Sequence, residues 1–138
     1  MRRLLAVIAL VVAPAFISAC GSDGVSAPAS TSVAGTYMLS TVNGVALPIV
    51  VSEADPKIEM MSDRLTLSTG GTFTEQLTVR ITDGTRVTTA IDDQSGTFIV
   101  TGTLVLFTNS DNSINSATFA GNTLTSTDGG VTVVFVRQ

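Results

Sequence analysis

"FTEQLTVRI" (residues 73–81) decides the fold class. Phe73, Leu77, Val79 and Ile81 fall on one side, and Thr74, Gln76, Thr78 and Arg80 on the other. Glu75 interrupts the apolar side near its start. A period of two with β-branched residues is the mark of a half-buried strand; an amphipathic helix repeats about every 3.6 residues. "LTL" (65–67) alternates in the same way. No helical periodicity of useful length follows the first 20 residues.

Turn signals punctuate the chain on both sides of this segment: "NG" (43–44), "GG" (70–71), "DG" (83–84), "DDQSG" (92–96), "NSDNS" (109–113), "GN" (121–122) and "DGG" (128–130). Asn-Gly and Asp-Gly suit two-residue hairpins, whose central positions need positive φ. Strands are predicted at 36–42, 46–51, 57–61, 64–69, 72–81, 85–91, 96–101, 103–108, 114–120, 122–127 and 131–137, with some expected to merge. "SEADPKIEMM" (52–61) reads as a loop, one helical turn or another strand. Short connections imply antiparallel neighbours, because parallel strands need long crossovers. An up-and-down sheet of this length closes or folds over to remove its edges. The expectation is an all-β domain over residues 35–138, an antiparallel up-and-down barrel or closed sandwich of about 8–10 strands.

"GTY" (35–37), "GTF" (71–73) and "GTF" (96–98) each place Gly-Thr-aromatic at a strand start, so the aromatic enters the core as the chain leaves a turn. The predicted inward set is Leu39, Leu65, Leu67, Phe73, Leu77, Val79, Val87, Ile91, Phe98, Val100, Leu104, Leu106, Phe119, Leu124, Val133 and Phe135. Such groups favour a packed interior over a ligand cavity. Glu75 and Arg86 are the inward-leaning polar candidates, at the interior or at the rim.

The first 20 residues have a different texture. "MRR" is a basic start, and "LLAVIALVVAPAFISA" is an apolar run that ends in small residues, the layout of a secretory signal. A membrane span is the alternative, but the run is shorter than the roughly 20 residues that a bilayer core requires and it contains Pro14. "ISAC" (Ile17, Ser18, Ala19, Cys20) resembles the lipobox of bacterial lipoproteins. The resemblance implies a signal peptide over residues 1–19, cleavage between Ala19 and Cys20, and lipid attachment at Cys20, with palmitate-type acyl chains. Two or more such chains anchor a protein stably where one does not. Gly21 follows where lipoproteins of this kind retained in the inner membrane carry Asp, so the resemblance implies delivery to the cell outer membrane. "GSDGVSAPASTSVA" (21–34) is rich in Ser, Gly, Ala and Pro and reads as a flexible tether. The expected division is residues 1–19 signal, 20–34 lipidated Cys and tether, and 35–138 barrel.

"AGTYMLSTVNGVALP" (34–48), "LTLSTGGTF" (65–73), "SGTFIVTGTLVLF" (95–107) and "VVFVRQ" (133–138) resemble the small lipocalin-like lipoprotein domains of bacteria. That resemblance implies a compact antiparallel barrel and carries over no catalytic or ligand residue.

Composition narrows the chemistry. There are 7 basic and 11 acidic residues and no histidine. Loss of Arg2 and Arg3 with the signal would make the balance more acidic, which offers no footprint for nucleic acid. Without His the usual general base is missing, so Cys20 has no partner as a nucleophile and no enzyme is expected. Paired carboxylates remain, Asp92 with Asp93 or Asp55 with Glu59, but "IDDQSG" reads as turn chemistry. "NSDNSIN" (109–115) holds oxygen donors without calcium-loop spacing, so no metal or other cofactor is expected. The expected function is a lipid-anchored envelope lipoprotein acting as a structural or interaction module. Its partners would be the membrane through Cys20 and an envelope protein. The alternative is a lipocalin-like carrier of a small apolar ligand.

Overall fold

The computed structural model describes residues 32–138. Cys20, the signal and the tether through residue 31 lie outside the described residues. Among these, the alternating segments become ten strands: β1 (Gly35–Val42), β2 (Val45–Ala46), β3 (Ile49–Ser52), β4 (Lys57–Leu67), β5 (Thr72–Asp83), β6 (Arg86–Thr101), β7 (Leu104–Asn109), β8 (Ile114–Ala120), β9 (Thr123–Asp128) and β10 (Val131–Arg137). From β3 to β10 each strand pairs antiparallel with the next. β1 pairs with β10, Leu39 opposite Phe135, and also with β4, Gly35 opposite Leu67. Those two pairings close an eight-stranded antiparallel barrel of β1 and β4–β10, the all-β fold expected. Closure removes the exposed strand edges that an open sheet would present. β2 and β3 are short additions, one on β1 and the other on β4.

The predicted strand breaks move in three places. Residues 57–61 and 64–69 merge into β4, which absorbs an extra residue as a bulge between Met60 and Ser62. Residues 85–91 and 96–101 merge into β6, because "DDQSG" continues the ladder with Leu77 opposite Asp92 and Glu75 opposite Gln94. Polar residues there tolerate a strand because most of them face water. The segment 46–51 splits instead, at Pro48, which has no N–H to give to a ladder. "NG" forms the expected tight turn, with φ of 49° at Asn43 and 80° at Gly44.

Side-chain direction follows register. Tyr37, Leu39, Leu65, Leu67, Phe73, Phe98, Phe119, Leu124 and Phe135 are buried inside the barrel. β7 presents the opposite face from the one expected: Val105 and Phe107 are buried, and Leu104 is 40% exposed. A run of four apolar residues, "LVLF", holds no alternation to choose between its faces. Val87 and Ile91 are likewise exposed, since Ala90 and Asp92 take the inward positions of β6 opposite Val79 and Leu77.

One end of the barrel is filled. Arg137 lies over the rings of Tyr37 and Phe119, 5.2 Å and 5.5 Å from their centroids. Its Nη2 donates to Tyr37 Oη at 2.6 Å and to the Ser32 carbonyl. Tyr37 Oη in turn donates to the Val33 carbonyl at 2.6 Å. Val33 packs against the core, so residues 32–34, the last of the predicted tether, lie on the barrel. Tyr37→Phe strands both partners of a fully buried hydroxyl. It is expected to cost about 2 kcal/mol, a fall on the order of 10 °C in Tm measured by thermal unfolding.

Candidate functional site

The other end of the barrel is open. Successive inward positions on β5 are Phe73, Glu75 and Leu77, facing Leu67, Leu65 and Asp63 on β4. On β6 the same three positions meet Gly96, Gln94 and Asp92. The alternation that buries Phe73 therefore also points Glu75 inward, where it sits diagonally between Asp63 on one side and Asp92 on the other. Diagonal neighbours on one sheet face lie within reach of long side chains. β7 to β10 contribute Phe107, Asn109, Asn115, Ala117, Leu124, Ser126, Asp128, Val133 and Phe135. These residues and Glu75 line a half-open cup of about 250 Å³. Its base is aromatic: Phe73 meets Phe107 edge to face at 5.2 Å.

The carboxyl groups set the electrostatics. Asp63 is only 7% exposed, and its Oδ1 has no hydrogen-bond partner. Burial, then the neighbouring charge of Glu75, push the Asp63 carboxyl from an ordinary 3.8 up to about 8. The two side chains are within hydrogen-bonding reach, and that contact favours the proton on Asp63. Burial also pushes Glu75 up, the hydrogen bond from Asp63 opposes this, and the charge of Asp92 adds to the rise. The pair therefore holds a proton at a pH where free carboxyls have lost theirs.

No basic side chain balances this pair from the cup lining. Arg80 and Lys57 lie on the outer face with Glu59, at 2.8 Å and 3.3 Å. Arg64 donates to Gln76, also outside. Arg137 is at the filled end. The cup is thus acidic and aromatic.

The residues singled out from sequence separate accordingly. Glu75 faces the interior, as one of its two expected placements. Arg86 stands exposed beside the turn after β5 and does not reach the cup. Asp92 and Asp93 are in a strand, not a turn: consecutive strand residues point to opposite faces, and Asp93 accepts from Gln76 Nε2 at 3.0 Å on the outside. Asp55 sits in an exposed loop, while Glu59 is tied to Arg80 and Lys57. In "NSDNSIN", Ser113 gives its N–H and its hydroxyl to Asp111 Oδ1, at 2.8 Å and 2.6 Å, and these bonds hold the Asp111 carboxyl below its ordinary range. That is a polar hairpin loop. Among the described residues no three acidic or thiol groups gather closely enough to hold a metal ion.

Sequence reasoning missed Asp63 and Asp128, and it read Asn109 and Asn115, the two ends of "NSDNSIN", only as oxygen donors of a loop. Asp63 fell in the expected gap between two strands. Continuing the alternation back from Leu67 and Leu65 would have placed it inside. Neither the protein-family models nor the curated proteins compared with the chain give a match.

Proposed function

We propose that this chain is a bacterial cell-envelope lipoprotein, anchored by acyl groups on Cys20, whose barrel is a non-enzymatic module that holds a small ligand. The reading of Cys20 rests on Ile17, Ser18, Ala19 and the apolar run before them, and Gly21 directs it to the outer membrane. The observation that carries the binding role is the cup. The barrel is filled at one end, yet about 250 Å³ at the other is lined by Phe73, Phe107, Phe135 and the carboxyl groups of Glu75 and Asp128. Binding pockets combine apolar walls with a few convergent polar groups. This cup lies just below the roughly 300–1,000 Å³ of sites for drug-sized ligands, so its occupant is small. A module that only touched a protein partner through its loops would have no use for an unfilled interior.

Two measurements test the two halves of the reading. Labelled fatty acid fed to cells making the chain should be incorporated and the protein should pellet with membranes; Cys20→Ala should abolish both. Persistence of label in Cys20→Ala would remove the anchor assignment. A small apolar fluorophore should bind the full chain, and Ala117→Phe, which fills the cup, should abolish that binding by about tenfold or more. Unchanged binding in that variant would return the barrel to the alternative, a structural or interaction module.

A further inference from the structure

The most unusual group in the molecule is Asp63: a carboxyl almost wholly removed from water, with one oxygen unpartnered, beside a second carboxyl that faces the cup. Leaving a buried polar atom unpaired costs about 1–3 kcal/mol. A barrel evolved only to fill its interior would place a Leu there, as it does at Leu65 and Leu67. Four acidic positions, Asp63, Glu75, Asp92 and Asp128, share the inward face or rim of this end. Lys57, Arg64 and Arg80 on β4 and β5 point outward, and Arg86, at the far end of β6, is not part of the cup lining. The charge on the cup is therefore complementary to a cation. Its aromatic walls rule out a purely ionic occupant and add attraction of their own, because a cation is drawn to ring faces.

We propose that the cup binds a small amphiphile carrying a protonated amine, with its apolar body against Phe73, Phe107 and Phe135 and its ammonium on Glu75, backed by Asp63. The proposal rests on the small-ligand reading above and names the chemical class of that ligand. The ammonium supplies the donors that two crowded carboxyls lack. It releases the proton they otherwise share and lets both ionise. In the low dielectric of the cup such a charge-assisted contact is stronger than at a surface. The body is limited to one ring or a short chain by the volume of about 250 Å³.

Three probes of nearly equal shape separate the possibilities: 2-phenylethylamine, 2-phenylethanol and phenylacetate, titrated calorimetrically into the detergent-purified full chain. At pH 8 the amine is expected to bind about tenfold or more tighter than the alcohol, and phenylacetate weakest. Glu75→Gln should erase the amine's advantage, read as the ratio of the amine's affinity to the alcohol's in the same variant. With the unaltered chain, the advantage should shrink from pH 8 to pH 5, as Asp63 and Glu75, which Asp92 and Asp128 flank, take up protons. That measurement stands even if Glu75→Gln fails to fold. If the alcohol binds as well as the amine, or the preference survives Glu75→Gln, the amine assignment is overturned and the carrier reading stands. If none of the three binds, both are overturned.

Discussion

A chain carrying Gly96→Ala is expected to lose about 3 kcal/mol or more of folding stability. The reason is close approach rather than backbone conformation. A methyl group on residue 96 would overlap the Thr108 carbonyl oxygen and come within 2.8 Å of Phe73 Cε1 and 3.0 Å of Asn109 Cα. Gly96 lies between Phe73 on β5 and Asn109 on β7, and the Phe73 ring packs across the space a side chain would need. The backbone around it is held on both sides, since Thr97 pairs with Thr72 and Thr108 and Phe98 with Phe107. Relief requires moving a strand or ejecting Phe73, and Phe73 also walls the cup. The expected result is a fall in Tm of about 15 °C or more, together with weakened probe binding. Ser95→Ala, at the neighbouring exposed position, should leave Tm nearly unchanged. Equal melting of Gly96→Ala and the unaltered chain would contradict this packing of Phe73.

The second large effect is a pH dependence. Asp63 holds its proton up to about pH 8 in the fold and to about 3.8 when unfolded. Between those values the folded chain binds more protons than the unfolded one, so raising the pH favours unfolding. The stabilisation is complete below the lower value, falls as pH rises, and is fully lost above the upper one. One proton contributes at most about 1.4 kcal/mol per pH unit. Urea midpoints measured at pH 4, 6 and 8 should therefore decline steadily. Asp63→Asn keeps the shape and cannot ionise, so its midpoints should decline less, the remainder coming from Glu75, which burial also pushes up, and should exceed those of the unaltered chain at pH 8. Glu59 and Asp111 act in the opposite sense, because their partners hold them below the ordinary range. Both are on the surface and lose their contribution only in acid, so they leave the decline between pH 4 and 8 intact. A chain equally stable at pH 5 and pH 8 would show that Asp63 is not shielded from water.

Sequence reasoning was most reliable where local pattern and tertiary fold agree. Alternation in β5 and paired turn residues such as Asn43 and Gly44 specified antiparallel strands, and closure followed from the cost of free edges. It was least reliable where alternation was absent or hidden. "LVLF" in β7 offers two apolar faces, and only contact with Phe73 and Phe98 selects Phe107 over Leu106. In β6 the polar run "DDQSG" has the composition of a turn, yet the long partner strand β5 extends the ladder through it. Glu75 could be placed inside because it broke an otherwise clean stripe. Asp63 was hidden because it fell in the expected gap between two strands, although the alternation through Leu67 and Leu65 reaches it before the bulge between Met60 and Ser62. The cup itself depends on how side chains from strands far apart in the chain fall short of meeting, a quantity no local pattern contains.

The clasp formed by Arg137, Tyr37 and Val33 gathers both ends of the described chain at the filled end of the barrel. Gln138 donates from its backbone to Thr36, and Arg137 from its own to Asn122, so the last strand is tied down beside the first. Asp128 and Asn109 stand at the opposite ends of their strands, where the mouth opens. A pull applied through residue 32 is therefore borne by the clasp and never crosses the mouth. A fluorescent or affinity handle joined after Gln138 therefore leaves the opening clear.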